Sequence, residues 1–159
     1  MDIKKIKFKN LLFIILKYNM IFDLLVIIIS LTTIIFLRSA NTAIMLSVIY
    51  FLGYIMSASL HEYMHIVCMR RAGIQQIRLE NNLWKFSIIT DEKVQGKVLI
   101  AIALSGPLMC FVIGIVLIFI GRIWRVDLML ICSALYLIQI VNVIPPFGDG
   151  IMIIKGVLT

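Results

Sequence analysis

Four apolar blocks divide the chain, at about residues 20–37, 42–68, 98–120 and 126–144. Each is close to or longer than the roughly 20 residues a helix needs to cross a hydrocarbon core. The longest polar connection, 72–97, lies between the second and third blocks. Within it "GIQQIRLE" and "LWKFSIIT" read as two short strands, with the turn at Asn81–Asn82 because asparagine tolerates positive φ. Ahead of the first block, "MDIKKIKFKNLLFIILK" sets lysines around an apolar stripe. Lys17 interrupts that run and no small-residue cleavage site follows, so 1–19 is expected to be retained as a basic interfacial helix. After the fourth block, "NVIPPFGDG" (142–150) joins two prolines to two glycines, which predicts a broken, non-helical segment over 145–155. The pattern predicts an all-α integral membrane protein forming one membrane-embedded domain over 1–159. It has about four transmembrane helices, an N-terminal amphipathic helix and a short β-hairpin.

Composition agrees. Hydrophobic residues make up 62% of the 159, with a mean hydropathy of +1.10, against about 45–50% apolar in soluble domains. The net charge of +7 needs no nucleic-acid partner, since cationic loops beside membrane spans account for it. Twelve of the fifteen Lys and Arg residues fall in the N-terminal segment, the 72–97 loop region and the C-terminus; Arg38, Arg122 and Arg125 fall on the other side. The positive-inside rule then puts both termini and the hairpin in the cytoplasm. Trp84 and Phe86 suit a membrane interface, and a strand edge there would be able to add an unwound peptide as a further strand. The abundance of Ile and Lys fits an AT-rich bacterial genome, hence a bacterial cell membrane. Cys68, Cys110 and Cys132 lie in or beside the apolar blocks without CxxC spacing, and read as buried small hydrophobes.

One segment breaks the apolar pattern. "SASLHEYMHIVCMRRAG" (57–73) contains the only two histidines of the chain, His61 and His65, with Glu62 between them. Residues four apart share a helix face, so both imidazoles can be directed at one metal ion, and Glu62 can act as general base on a bound water. Ionisable groups in a span are costly unless paired or solvated, about 2.5 kcal/mol or more each, so a chance match is disfavoured. A catalytic zinc usually has three protein ligands. The candidates for the third are Asp23 and Asp149, and the Pro-Gly surroundings favour Asp149, because irregular backbone at membrane depth must line a cavity or be buried in protein. His61 lies nine residues before Arg70, about 13 Å from that end of the span, and the proline break of the fourth block falls in the same half. In the third block, Ser105-Gly106-Pro107 lies at similar depth, where glycine allows close approach and proline frees a carbonyl.

"HEYMH", "SGP" and the Asn-x-x-Pro…Asp-Gly stretch resemble the site-2 proteases, the intramembrane zinc metalloproteases, over roughly residues 42–155. The resemblance implies one zinc per chain on His61, His65 and Asp149, with Glu62 as catalytic base. It also implies that Asn142, Ser105, Gly106 and Pro107 contact substrate, in a minimal form without PDZ or nucleotide-sensing domains. The expected substrate is a transmembrane or signal-like peptide cut near the cytoplasmic side, short peptide precursors included. Cys110, Gly148 and the Asn142-to-Asp149 spacing depart from the family pattern. The competing expectations are a non-catalytic zinc-holding protein that binds a peptide, as an immunity or accessory factor would, and a metal transporter.

Overall fold

The structure, a computed structural model, describes residues 2–82 and 85–159, and only the backbone of 81, 82 and 85–87. A 3₁₀ turn, Ile3–Lys5, precedes α1 (Phe8–Tyr18) and α2 (Met20–Leu37). α3 (Ala40–Val48), a π-helical stretch Ile49–Ile55 and α4 (Met56–Arg71) run on as one 32-residue rod. A hairpin of β1 (Arg78–Asn82) and β2 (Lys85–Ile89) follows. Then come α5 (Gly96–Trp124), α6 (Asp127–Leu137), a 3₁₀ segment Ile138–Val143 and α7 (Gly148–Leu158).

Among the described residues, four helices are long and apolar enough to cross a bilayer: Met20–Leu37, Ala40–Arg71, Gly96–Trp124 and Asp127–Leu158. α2 shows why a bilayer is needed. Ile21, Leu24, Ile28, Ile35 and Phe36 are all exposed along it, Phe36 by 79%, a surface that hydrocarbon solvates and water does not. Its main packing partner is α3, with Ser30 and Ser47 hydroxyls 3.1 Å apart between them. α5 is the central helix, packed against α4, α6 and α7.

The two strands pair antiparallel, Arg78 opposite Ile89 through to Asn82 opposite Lys85. Asn81 and Asn82 are therefore strand residues, paired with Phe86 and Lys85, and not the turn that the pattern predicts there. The interfacial reading of Trp84, and of the Phe86 side chain, lies outside the described residues.

The N-terminal segment forms the amphipathic helix that the pattern predicts, and its buried face packs on the protein. Ile3, Ile6, Leu11 and Ile15 are buried in one core with Ile66, Met69, Ile74, Ile77, Ile88 and Ile102. Asp2 bridges Gln76, and Ile3 N–H donates to the Gln75 carbonyl at 3.0 Å. Arg70 donates Nε–H to the Ile3 carbonyl at 2.9 Å, and Nη2 to that of Ile6. At this end water is the alternative environment, and each fully buried isoleucine contributes about 1.5–3 kcal/mol. The strap closes the end of the bundle where α4 stops and α5 begins. The C-terminus meets the same end: Gly96 N–H donates to Thr159 Oγ1 at 3.1 Å.

The break after the fourth block is shorter than the pattern predicts. Only Ile144 to Phe147, holding Pro145 and Pro146, leaves helical structure, and α7 resumes at Gly148. Two adjacent prolines remove two amide donors, which stops the preceding segment, while Gly148 and Gly150 are accommodated in the first turn of the next.

Candidate metal centre

α4 turns Ser57, Ser59, His61, His65, Ile66 and Met69 into the protein. His61 and His65 lie one turn apart on this face, with ring centroids 4.8 Å apart and planes at 81°. Their Nε2 atoms approach to 3.1 Å. Asp149, in the first turn of α7, closes the group: Oδ2 is 3.1 Å from His61 Nε2 and Oδ1 is 3.4 Å from His65 Nε2. Both histidines are buried and the aspartate is largely so.

Tetrahedral coordination with bonds of about 2.0–2.1 Å separates neighbouring ligand atoms by about 3.3 Å. Separations of 3.1, 3.1 and 3.4 Å fit it. The three residues bring one ligand atom each within 4.8 Å of one another, and this group could hold a metal ion. Its donor set, two imidazoles and a carboxylate, is one that zinc accepts.

α5 supplies the support behind the histidines. His65 Nδ1–H donates to the Ile102 carbonyl at 2.7 Å, which leaves Nε2 as the lone-pair nitrogen facing Asp149. Ser105 Oγ–H donates to the same carbonyl at 2.7 Å and lies 3.4 Å from His65 Nδ1. His61 is held differently: its Nδ1 is buried with no hydrogen-bond partner among the described residues, as is Ser59 Oγ. Gly106 lets the two helices meet. A Cβ there would stand 2.7 Å from His65 Nε2 and 2.8 Å from the His61 carbonyl. Gly150 does the same for α7, where a Cβ would fall 2.6 Å from the Val143 carbonyl oxygen and 2.7 Å from Pro145 N. Asp149 is thus aimed by a helix start pressed onto the proline break, not by the non-helical segment that the pattern predicts over 145–155.

Glu62 is half-buried on α4, next to His61 in the chain. Ser105, Gly106 and Pro107 lie where α5 backs the histidines, and the structure shows the first two against His65. Asn142 sits in the 3₁₀ segment, its Nδ2 donating to Gln139 Oε1 at 3.1 Å. Asp23, the alternative third ligand, is engaged elsewhere: it accepts from Tyr50 OH at 2.7 Å and is outside the cluster. All three cysteines are free thiols, and Cys110 is buried with Sγ 3.4 Å from the Ser57 carbonyl. The Ile102 carbonyl, a backbone group in an apolar run, carried no signal in the sequence. Gln139 did, as an amide three residues before Asn142 in a span.

Set against protein-family models, curated proteins and solved structures, the chain finds no match.

Proposed function

We propose that this protein is an intramembrane zinc endopeptidase of the site-2 protease kind, cutting transmembrane or signal-like peptides near the cytoplasmic face of a bacterial cell membrane. One observation carries the reading. Two imidazoles from α4 and a carboxylate from α7, 84 positions beyond the second histidine, converge within 4.8 Å inside apolar helices. A glutamate stands beside the first histidine on α4.

His61, His65 and Asp149 would hold the zinc. A bound zinc supplies an acidified water and a positive charge for the scissile carbonyl. Glu62 takes the proton of the attacking water and hands it to the nitrogen of the departing segment. The Ile102 carbonyl keeps His65 in one tautomer and one orientation throughout. A helical peptide engages its amides in internal hydrogen bonds, so it must unwind locally before one reaches the site.

Zinc analysis of detergent-purified protein tests the site. About one zinc per chain is expected in the wild type and none in Asp149→Ala. A well-folded wild type without zinc sinks the reading. Coexpression with single-span peptides then tests the chemistry, which requires a size shift that disappears with Glu62→Gln.

A further inference from the structure

Within the same bundle, three polar side chains form a chain that the metal ligands do not use. Ser57 lies one turn before His61 on the same face, about 6 Å along the axis, and is fully buried. Its hydroxyl donates to the Tyr54 carbonyl at 3.0 Å and accepts from Gln139 Nε2 at 3.5 Å, a long contact. Gln139 Oε1 in turn accepts from Asn142 Nδ2 at 3.1 Å.

The local fold produces this contact. In a 3₁₀ segment, side chains three apart eclipse one another, whereas an α-helix would offset them by about 60°. The stretch Ile138–Val143 therefore stacks the Gln139 amide on that of Asn142 and turns the pair toward α4. Both amides are half-buried. Among the described residues, Asn142 Oδ1 and its second N–H have no protein partner, in a segment apolar enough to lie at membrane depth. Amide groups there are disfavoured unless a polar group meets them. A peptide group, with one donor and one acceptor, is the matching partner, and a locally unwound substrate exposes it.

We propose that Gln139 is a positioning residue. It holds the Asn142 carboxamide to receive the main chain of an unwound peptide substrate, on the Ser57 side of the metal ligands. The inference rests on the peptidase reading for the identity of its ligand, and its test is built to fail separately.

The protein is prepared as Glu62→Gln in lipid nanodiscs, and binding of a labelled synthetic single-span peptide with a Gly-Pro pair at mid-span is followed by fluorescence anisotropy. Adding Gln139→Met removes both amide contacts and should raise Kd about tenfold with zinc content unchanged. Adding Gln139→Glu keeps an acceptor for Asn142 Nδ2 and should hold Kd within about threefold. An unchanged Kd in Gln139→Met, or an equal loss in both variants, overturns the positioning role. Absence of peptide binding in the Glu62→Gln background overturns it together with the peptidase reading. Binding that responds to Gln139 beside a wild type that cleaves nothing supports the positioning role and removes only the catalysis.

Discussion

At the scale of single residues, the proposed function gives His61, His65 and Asp149 the task of holding the metal and Glu62 the task of reacting, and substitution separates the two. Glu62→Gln keeps size and hydrogen bonding but cannot take a proton. Cleavage should fall by about 10²–10⁴-fold while zinc content stays at the wild-type level. Loss of zinc in this variant would show that Glu62 shapes the site instead. Gly106→Ala works from behind. Its methyl would stand 2.7 Å from His65 Nε2 and 2.8 Å from the backbone oxygen of His61, so the histidine must shift. Supporting contacts of this kind typically change metal affinity by about 10–100-fold, which competition with a chelator would read; an unaltered affinity would mean that α5 yields instead. The paired histidines were legible in the sequence because four-residue spacing maps directly onto one helix face. The Ile102 carbonyl that orients His65 was not, because every residue carries a carbonyl and only packing decides which one is used.

At the scale of elements, the 3₁₀ segment, the proline break and the start of α7 together carry Asp149 and Asn142 on opposite sides of one interruption. The sequence marks the interruption clearly, since Pro145 and Pro146 cannot continue a helix. It does not mark the return to helix at Gly148, because Gly148 and Gly150 have poor helix propensity and read as loop. Contact overrides propensity here: α7 presses so closely on Val143 and Pro145 that position 150 has no space for a side chain. Gly150→Ala puts its methyl against backbone atoms, which cannot rotate away. The helix start must move and take Asp149 with it, so zinc should be lost as fully as in Asp149→Ala while the far-ultraviolet helix signal is kept. Normal zinc binding in Gly150→Ala would show that the break adjusts. The N-terminal helix is present as the pattern predicts, and the structure adds which surface its apolar stripe meets. A basic amphipathic stripe fits a lipid surface and a protein surface equally well, and the buried Ile3, Ile6, Leu11 and Ile15 show that one face lies on protein.

At the scale of the whole molecule, the bundle has two unlike ends, and the metal centre is measured from one of them. Asp2 reaches Gln76, and Thr159 reaches Gly96, so both terminal segments and the hairpin region share an end. The connections at Arg38 and Arg125 fall at the other, where each helix stops in a left-handed residue. From the shared end His61 is nine residues back from Arg70 along α4, and Asp149 is nine residues back from Leu158 along α7. At 1.5 Å per residue both candidate ligands lie about 13 Å from that end, which is why residues from separate spans meet at one level. We propose that this end faces the cytoplasm, because twelve of the fifteen Lys and Arg residues belong to it and the positive-inside rule retains such residues there. Single cysteines with an impermeant maleimide test this in intact cells, in a background lacking Cys68, Cys110 and Cys132. Arg38→Cys and Arg125→Cys should label from outside, and Lys93→Cys only after permeabilisation. The opposite result would put the metal centre about 13 Å below the outer face, and a peptide would then have to be cut on the external side of its span.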